Sequence, residues 1–436
     1  MISSRRQFLK HSALLAAPAF IPSLRAASPN GKIRHASVGA NGQAWGDLVS
    51  FASHKDFELV AVADVDSRNH AQVKSRFPNA RCYQDWREMF EKEKELDSVN
   101  VSIPDHMHGL VTVTALNRGL HTYTQKPLTQ NLWECRELML KAREKKAMTQ
   151  MGIQISSAFT ERWAVDYIRS GVIGKVKEVH TFSSKTWGDP TPRPDTRDTP
   201  PADFDWDLWL GVALDRPFIG HGYYHPGNWR KRRDFGTGTL GDMGCHMFSG
   251  WFRALDLKSI LSVKSTGPEA GKDNWAINGQ VQYVFEGTQY TEGKTVPVTW
   301  YDGSQRPAKE VLDLIGGKFP DQGSIYLGTD GVLLAQHMST PMLFPREKFA
   351  AKRPAKLEPR DHYHEFLNCV KNGGDKPSAN FDYASPLTEA VLLGCLASVF
   401  PNETLAWDTA KLEFPKHADA TKLVRRNYRK GWEWPA

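Results

Sequence analysis

The sequence is poor in cysteine, has no apolar run long enough for a membrane span and carries no acidic residue near its start. Its five cysteines (Cys82, Cys135, Cys245, Cys369 and Cys395) are odd in number, widely scattered and without a C-x-x-C pair. A disulfide framework is therefore not expected, and zinc finds no ligand spacing; no metal site is anticipated. Cys245 reads as a packing thiol. The apolar stretch from Ala13 to Ile21 is too short for a bilayer, which takes about 20 residues, so stable membrane insertion is not expected. The first 27 residues hold Arg5, Arg6, Lys10 and Arg25 and no acid, which leaves +3 of the formal charge of +7 for the rest. That is no nucleic-acid footprint. Nothing in a composition of 40% hydrophobic and 24% charged residues argues for disorder, and 436 residues exceed one typical core. Two domains are expected.

What is present at the start is an address. Ser4-Arg5-Arg6-Gln7-Phe8-Leu9-Lys10 matches the twin-arginine pattern S-R-R-x-F-L-K, and the apolar stretch leads to Ala26-Ala27. Residues 1–27 are expected to be a twin-arginine signal peptide. The mature chain would then be periplasmic or otherwise exported, with the twin-arginine translocase as a transient partner. That route carries proteins already folded.

From Lys32 to Thr124, short apolar runs alternate with helical patterns, the sign of βαβ units and a parallel sheet. Strands are predicted at Ile33–Val38, Leu59–Ala63, Val99–Ile103, His121–Tyr123 and Met148–Gly152. Helices are predicted at Ala44–Ser53, Ser67–Arg76, Trp86–Lys94, His106–Arg118 and Leu132–Lys145. This is an α/β reading, with a Rossmann domain over 32–155. Over 156–436 six strand patterns predict a second α/β domain with a large, open, mostly antiparallel sheet. They are Val176–Ser184, Ile260–Ser265, Val281–Phe285, Val296–Tyr301, Ser324–Leu327 and Gly331–Leu334. Helices are expected at Asp361–Lys371 and Pro386–Val399. The connection Trp187–Gly241 is too long for a simple link and reads as a wall over a cleft.

Directly after the first strand stands Gly39-Ala40-Asn41-Gly42-Gln43-Ala44, where a dinucleotide fold places G-x-G-x-x-G. Asn41 tolerates positive φ and Ala44 is small, so a tight turn approaching a pyrophosphate remains feasible, as does an ordinary turn. Asp64, closing the second strand, is placed for the adenosine ribose hydroxyls. Its carboxylate favours NAD over NADP, while Arg68 would work against that preference.

Lys126, in Gln125-Lys126-Pro127, and Asp242 and His246, in Gly241-Asp242-Met243-Gly244-Cys245-His246, supply a cation, a carboxylate and an imidazole. The i, i+4 spacing sets Asp242 and His246 on one helix face, within reach of one substrate carbon. Imidazole titrates nearest neutrality, so His246 reads as the general base, with Asp242 orienting the imidazole or binding a neighbouring hydroxyl. A glycine-containing nucleotide loop, a Lys-Pro motif and D-x-x-x-H, in that order, resemble the Gfo/Idh/MocA oxidoreductases, the glucose-fructose oxidoreductase and inositol dehydrogenase family. The likeness covers nearly all of the chain after the leader. It implies that Lys126 lies near the nicotinamide and bonds the reacting oxygen, and that Ser102-Ile103-Pro104 with His108 form the next cofactor-side turn. The family motif reads E-K-P, and Gln125 here removes a carboxylate that would raise the lysine pKa. Pro127 fixes the turn, and a cis bond is open to it.

Upstream of Asp242, the residues Trp187, Tyr223, Tyr224, His225, Asn228, Trp229 and Arg230 combine aromatic faces with polar heads. Such sets pack on sugar C–H faces and read hydroxyls, so a sugar, glycoside or cyclitol is the expected substrate. The resemblance implies NAD, held tightly through turnover, and an open sheet that supports a homo-oligomer. Two rivals stay open. One is a glycosidase using NAD transiently, like the related α-N-acetylgalactosaminidases, whose pattern lacks the lysine. The other is a non-catalytic binding protein, suggested by Gln125 and Asn41.

Overall fold

The computed structural model describes residues 31–316 and 319–435; the predicted leader lies outside the described residues. The first sheet is parallel throughout, in the order β3-β2-β1-β4-β5-β6. Its strands are β1 (Ile33–Val38), β2 (Phe57–Ala63), β3 (Arg81–Tyr83), β4 (Ser98–Val101), β5 (His121–Thr124) and β6 (Thr149–Met151). Helices cover both faces, so β1 and β4 are almost wholly buried. Their polar members satisfy one another: His35 Nδ1 and Nε2 meet Ser98 Oγ at 2.8 Å and Asn100 Oδ1 at 3.0 Å. Strand order reverses between β1 and β4, which opens a crevice at the carboxyl ends of these strands.

The second sheet has the order β13-β12-β11-β7-β10-β9-β8-β14. It comprises β7 (Val176–Ser183), β8 (Ile260–Ser265), β9 (Gln280–Glu286), β10 (Thr295–Asp302), β11 (Gln322–Gly328), β12 (Val332–Gln336), β13 (Met342–Phe344) and β14 (Leu405–Ala406). Only β7 and β10 pair in parallel; the other pairs are antiparallel. Burial alternates along β9, as expected of a sheet with one face on the core. That face packs helices Gly238–Ala254 and Phe381–Ala397, and Trp251, Trp300, Tyr283 and Phe285 are buried between them. Truncating a side chain so placed costs about 3–5 kcal/mol.

Three local readings need correction. The helix expected over Ser67–Arg76 opens as a 3₁₀ turn, Ser67–Asn69, because the Asp66 carboxylate accepts from Arg68 N at 3.2 Å; the α-helix is His70–Arg76. The helix expected from Pro386 starts at Phe381, where the Asn380 side chain caps Asp382 N; Pro386 lies inside it. The strand expected to reach Ile103 ends at Val101, since Ser102, Ile103 and Pro104 leave the sheet to border the crevice. From the second half of the chain, helix His362–Asn372 returns to the first domain. Phe366 and Tyr363 pack there with Phe51 and Tyr123.

Candidate active site

The crevice is a cleft of about 320 Å³. On one side the chain turns after β1 at Gly39, which has φ +104°, and a Cβ there would lie 2.4 Å from Ser102 O. Only glycine fits. Asn41, Gly42 and Gln43 continue the lining and lead into helix Gln43–Phe51, whose N-terminus has no side-chain cap. The tight glycine turn and the helix dipole at that uncapped start suit a pyrophosphate, so the residues present fit a dinucleotide. Asp64 borders the same cleft and holds the loop: Oδ2 accepts from Ala40 N and Oδ1 from Asp66 N, both at 2.9 Å. Burial raises its pKa against those bonds. Arg68, weighed above against Asp64, is engaged by Asp66, with Nε and Nη2 at 2.7 and 2.6 Å from the carboxylate.

Opposite the loop, β5 ends and Gln125 and Lys126 enter the lining, followed by a cis Lys126–Pro127 peptide. Lys126 Nζ donates to Asp242 Oδ1 and to Asp242 O, both at 2.7 Å, and Arg230 Nε donates to the same Oδ1 at 3.1 Å. Lys126 and Asp242 are only 14% and 13% exposed. Burial alone would raise the Asp242 carboxyl, but the charges of Lys126 and Arg230 outweigh it and hold its pKa well below the usual range. Asp242 is thus a fixed anion that aims two cations. Glycine at 241 leaves room for the Thr237 side chain, since a Cβ there would lie 1.9 Å from Thr237 Oγ1.

His246 diverges from this set. It does not line the cleft; it borders a separate small cavity with Thr160, Gln336 and His337, 5.8 Å from the His337 ring. Its Nδ1 is buried without a hydrogen-bond partner among the described residues. The i, i+4 spacing does align it with Asp242, but four residues of helix set it about 6 Å further along, and Lys126 Nζ takes the Asp242 carbonyl. Burial first, then the charges of Lys126 and His337, drive its pKa well below the usual imidazole value.

His108 does not reach the cleft either. It is buried, with Nδ1 and Nε2 each 2.7 Å from a carbonyl, of Pro127 and Ile103, so it ties together the two turns that carry Lys126 and Pro104. Of the expected substrate wall, His225, Trp229 and Arg230 line the cleft. Tyr224 is buried in the wall's own core with Trp209 and Phe235. Tyr223 stacks on the Arg232 guanidinium at 3.6 Å, Asn228 donates to Gly222 O at 2.8 Å, and Trp187 lies beneath Arg230 at 5.4 Å. A long connection with no sheet beneath it needs a core of its own, and these aromatics supply it.

Residues 33–153 match the domain described as "Oxidoreductase family, NAD-binding Rossmann fold", and residues 187–434 match "Oxidoreductase family, C-terminal alpha/beta domain", both of Gfo/Idh/MocA type. The chain belongs to the Gfo/Idh/MocA oxidoreductase family. It is 23% identical over 266 residues to the scyllo-inositol 2-dehydrogenase (NADP(+)) of Bacillus subtilis, covering 60% of each chain. It is 27% identical over 251 residues to the D-glucoside 3-dehydrogenase of Escherichia coli, covering 56% of this chain and 59% of the relative. The chain thus spans about three-fifths of the length of these curated relatives. Its fold is shared with an inositol dehydrogenase homolog of Azotobacter vinelandii complexed with NADH and myo-inositol. That likeness has a TM-score of 0.57 at 17% identity and covers 86% of this chain and 98% of the other.

In this Gfo/Idh/MocA chain, two cleft features escaped sequence reasoning. Asp105, following Pro104, looks like a first-turn helix acid, yet it lines the cleft at 4% exposure with Thr237 Oγ1 donating at 2.6 Å. Burial, opposed by Thr237, Arg230 and Lys126, pushes its carboxyl up to about 7. Met107 and Leu208 add an apolar stretch of wall. On the nucleotide side, Asp64→Ala is expected to weaken NAD more than NADP, because it removes ribose acceptors together with a charge that repels a 2′-phosphate. Parallel titrations of the two nucleotides check this, and equal losses would remove Asp64 from the ribose site.

Proposed function

We propose that the chain is an NAD-linked oxidoreductase that oxidises a secondary hydroxyl, or reduces the matching ketone, on a sugar, glycoside or cyclitol. The observation that carries this is the Lys126–Asp242–Arg230 set on the wall of a nucleotide cleft. Bound NAD supplies the hydride acceptor. Lys126 donates a hydrogen bond to the reacting oxygen and steadies the negative charge that grows there as hydride leaves. Asp242, held ionised, fixes the direction of that ammonium, and Arg230, His225 and Trp229 receive the polyol. The hydroxyl proton reaches the imidazole of His246 by a relay, since that ring borders the neighbouring cavity and not the cleft, and burial keeps the imidazole neutral. The names of the relatives, inositol and glucoside dehydrogenases, support this substrate class. Mass spectrometry of nucleotide released from the purified protein, followed by a polyol panel read as nicotinamide absorbance, tests it. Absence of nucleotide, or of reduction by every polyol, would remove the reading. Release of a leaving group from an aryl glycoside would mark elimination instead.

The same proposal places the enzyme outside the cytoplasm, exported with its cofactor aboard and keeping it through turnover, so that a second sugar resets the nicotinamide. Export rests on the uninterrupted Ser4–Lys10 pattern, and retention of the cofactor on the family resemblance. Replacing Arg5 and Arg6 together by Lys is expected to retain precursor in the cytoplasm. Fractionation showing undiminished export would contradict the assignment.

A further inference from the structure

Behind the cleft wall lies a carboxylate that this chemistry does not use. Asp47, on helix Gln43–Phe51, is wholly buried at 0% exposure. Its Oδ1 accepts from Gln43 Nε2 and Tyr363 Oη, each at 2.8 Å, and its Oδ2 from Ser102 Oγ at 2.7 Å. Gln125 Nε2 lies 3.1 and 2.9 Å from the two oxygens. Four side chains from four segments therefore converge on one acid. Both hydroxyl donors are themselves acceptors, Ser102 from Asn100 Nδ2 at 2.9 Å and Tyr363 from Gln154 Nε2 at 3.1 Å, so their own hydrogens are directed to Asp47. Four groups donating to one carboxyl favour its ionised form. Burial raises its pKa, and the same four bonds oppose the rise. Among the described residues Asp47 has no ion-pair partner, so its charge is balanced by dipoles alone.

Gln43, Ser102 and Gln125 also line the cleft, which sets this charge one side chain behind the wall and beside the Gln125-Lys126 turn. The neutral amide at position 125 follows from it: a second carboxylate there would face the first at hydrogen-bond distance. Gln125 has little freedom to retreat, since a Cβ at Gly152 would lie 2.6 Å from its amide.

We infer that Asp47 is the counter-charge of the nicotinamide end of the cleft, a buried anion that favours the oxidised, cationic nucleotide over the reduced, neutral one. The two redox states of NAD differ by one positive charge on the nicotinamide ring, and a buried charge beside them is little screened. Asp47 is a positioning residue for the redox balance of the site, acting through Gln125, Gln43 and Ser102.

Titration of nucleotide-free mature protein with NAD+, NADH and ADP-ribose tests this, because ADP-ribose lacks the ring that senses the charge. In Asp47→Asn the ratio Kd(NADH)/Kd(NAD+) is expected to fall about fivefold or more, the scale of one charge at an effective dielectric of about 20, with ADP-ribose affinity kept. Tyr363→Phe removes one donor of four and no formal charge, and moves the ratio less than Asp47→Asn does. The exchanged pair Asp47→Asn with Gln125→Glu carries the charge one side chain closer to the cleft. Its ratio stays at or above that of the wild type, which keeps the test open should the single variant fail to fold. An unchanged ratio in Asp47→Asn, equal losses for all three ligands, or a fallen ratio in the exchanged pair would overturn the inference.

Discussion

Lys126→Met is expected to cut turnover by about a hundredfold or more while nucleotide affinity changes little. The residue is paired with Asp242 on the cleft wall, and the proposed function gives its ammonium the bond to the reacting oxygen. The proposal assigns the nucleotide to other residues of the cleft lining, the Gly39–Gln43 turn and Asp64. A buried ion pair broken at one partner costs about 3–5 kcal/mol when the other charge is stranded. Here Arg230 remains on the Asp242 carboxylate at 3.1 Å, so the variant keeps a paired anion and its fold. Steady-state kinetics beside nucleotide titration separates the two effects. A fall in affinity with unchanged turnover would make Lys126 a cofactor ligand only.

His246→Ala is expected to produce a loss of similar size, and its pH profile decides which group exchanges the proton. His246 is neutral across the physiological range, because burial and the nearby Lys126 hold its pKa well below the usual value. If it is the base, activity is lost only in acid, as pH falls through that depressed pKa. Asp105 has a different signature: its carboxyl, raised to about 7, ionises as pH rises through neutrality and adds a negative charge to the cleft. The account expects Asp105→Asn to remove a limb near pH 7 and keep most of the activity, with His246→Ala low at every pH. The reverse pattern would assign the proton to Asp105. A Lys126→Met, His246→Ala double variant is expected to lose less than the product of the single losses, as residues acting as one unit do.

Much of the scaffold was legible because its patterns are strong. The bounds of β1 and of helix Leu132–Lys145 agree with the apolar periodicity, and the mostly antiparallel second sheet follows from its alternation. Strands β3, β13 and β14 have three, three and two residues, too few for a period to declare itself. The meeting of Lys126 with Asp242 was anticipated as convergence on one site. The turning of His246 to a neighbouring cavity was not, because the covering of each turn of helix Gly238–Ala254 depends on how β11 and β12 pack against it. Tyr224 and Trp187 looked like sugar platforms, and only tertiary packing shows that they build and brace the wall. Asp47 reads in sequence as an ordinary mid-helix acid, since its four donors come from positions 43, 102, 125 and 363.

The most direct test of hydride chemistry on a Lys126-bound oxygen is a stopped-flow single turnover, in which protein carrying NAD is mixed with a polyol substrate and nicotinamide reduction is followed. The account predicts rapid reduction in the wild type and a step slowed by about a hundredfold or more in Lys126→Met and in His246→Ala, each folded and with NAD bound. Wild-type rates of reduction in both variants would contradict it and leave these residues a structural role.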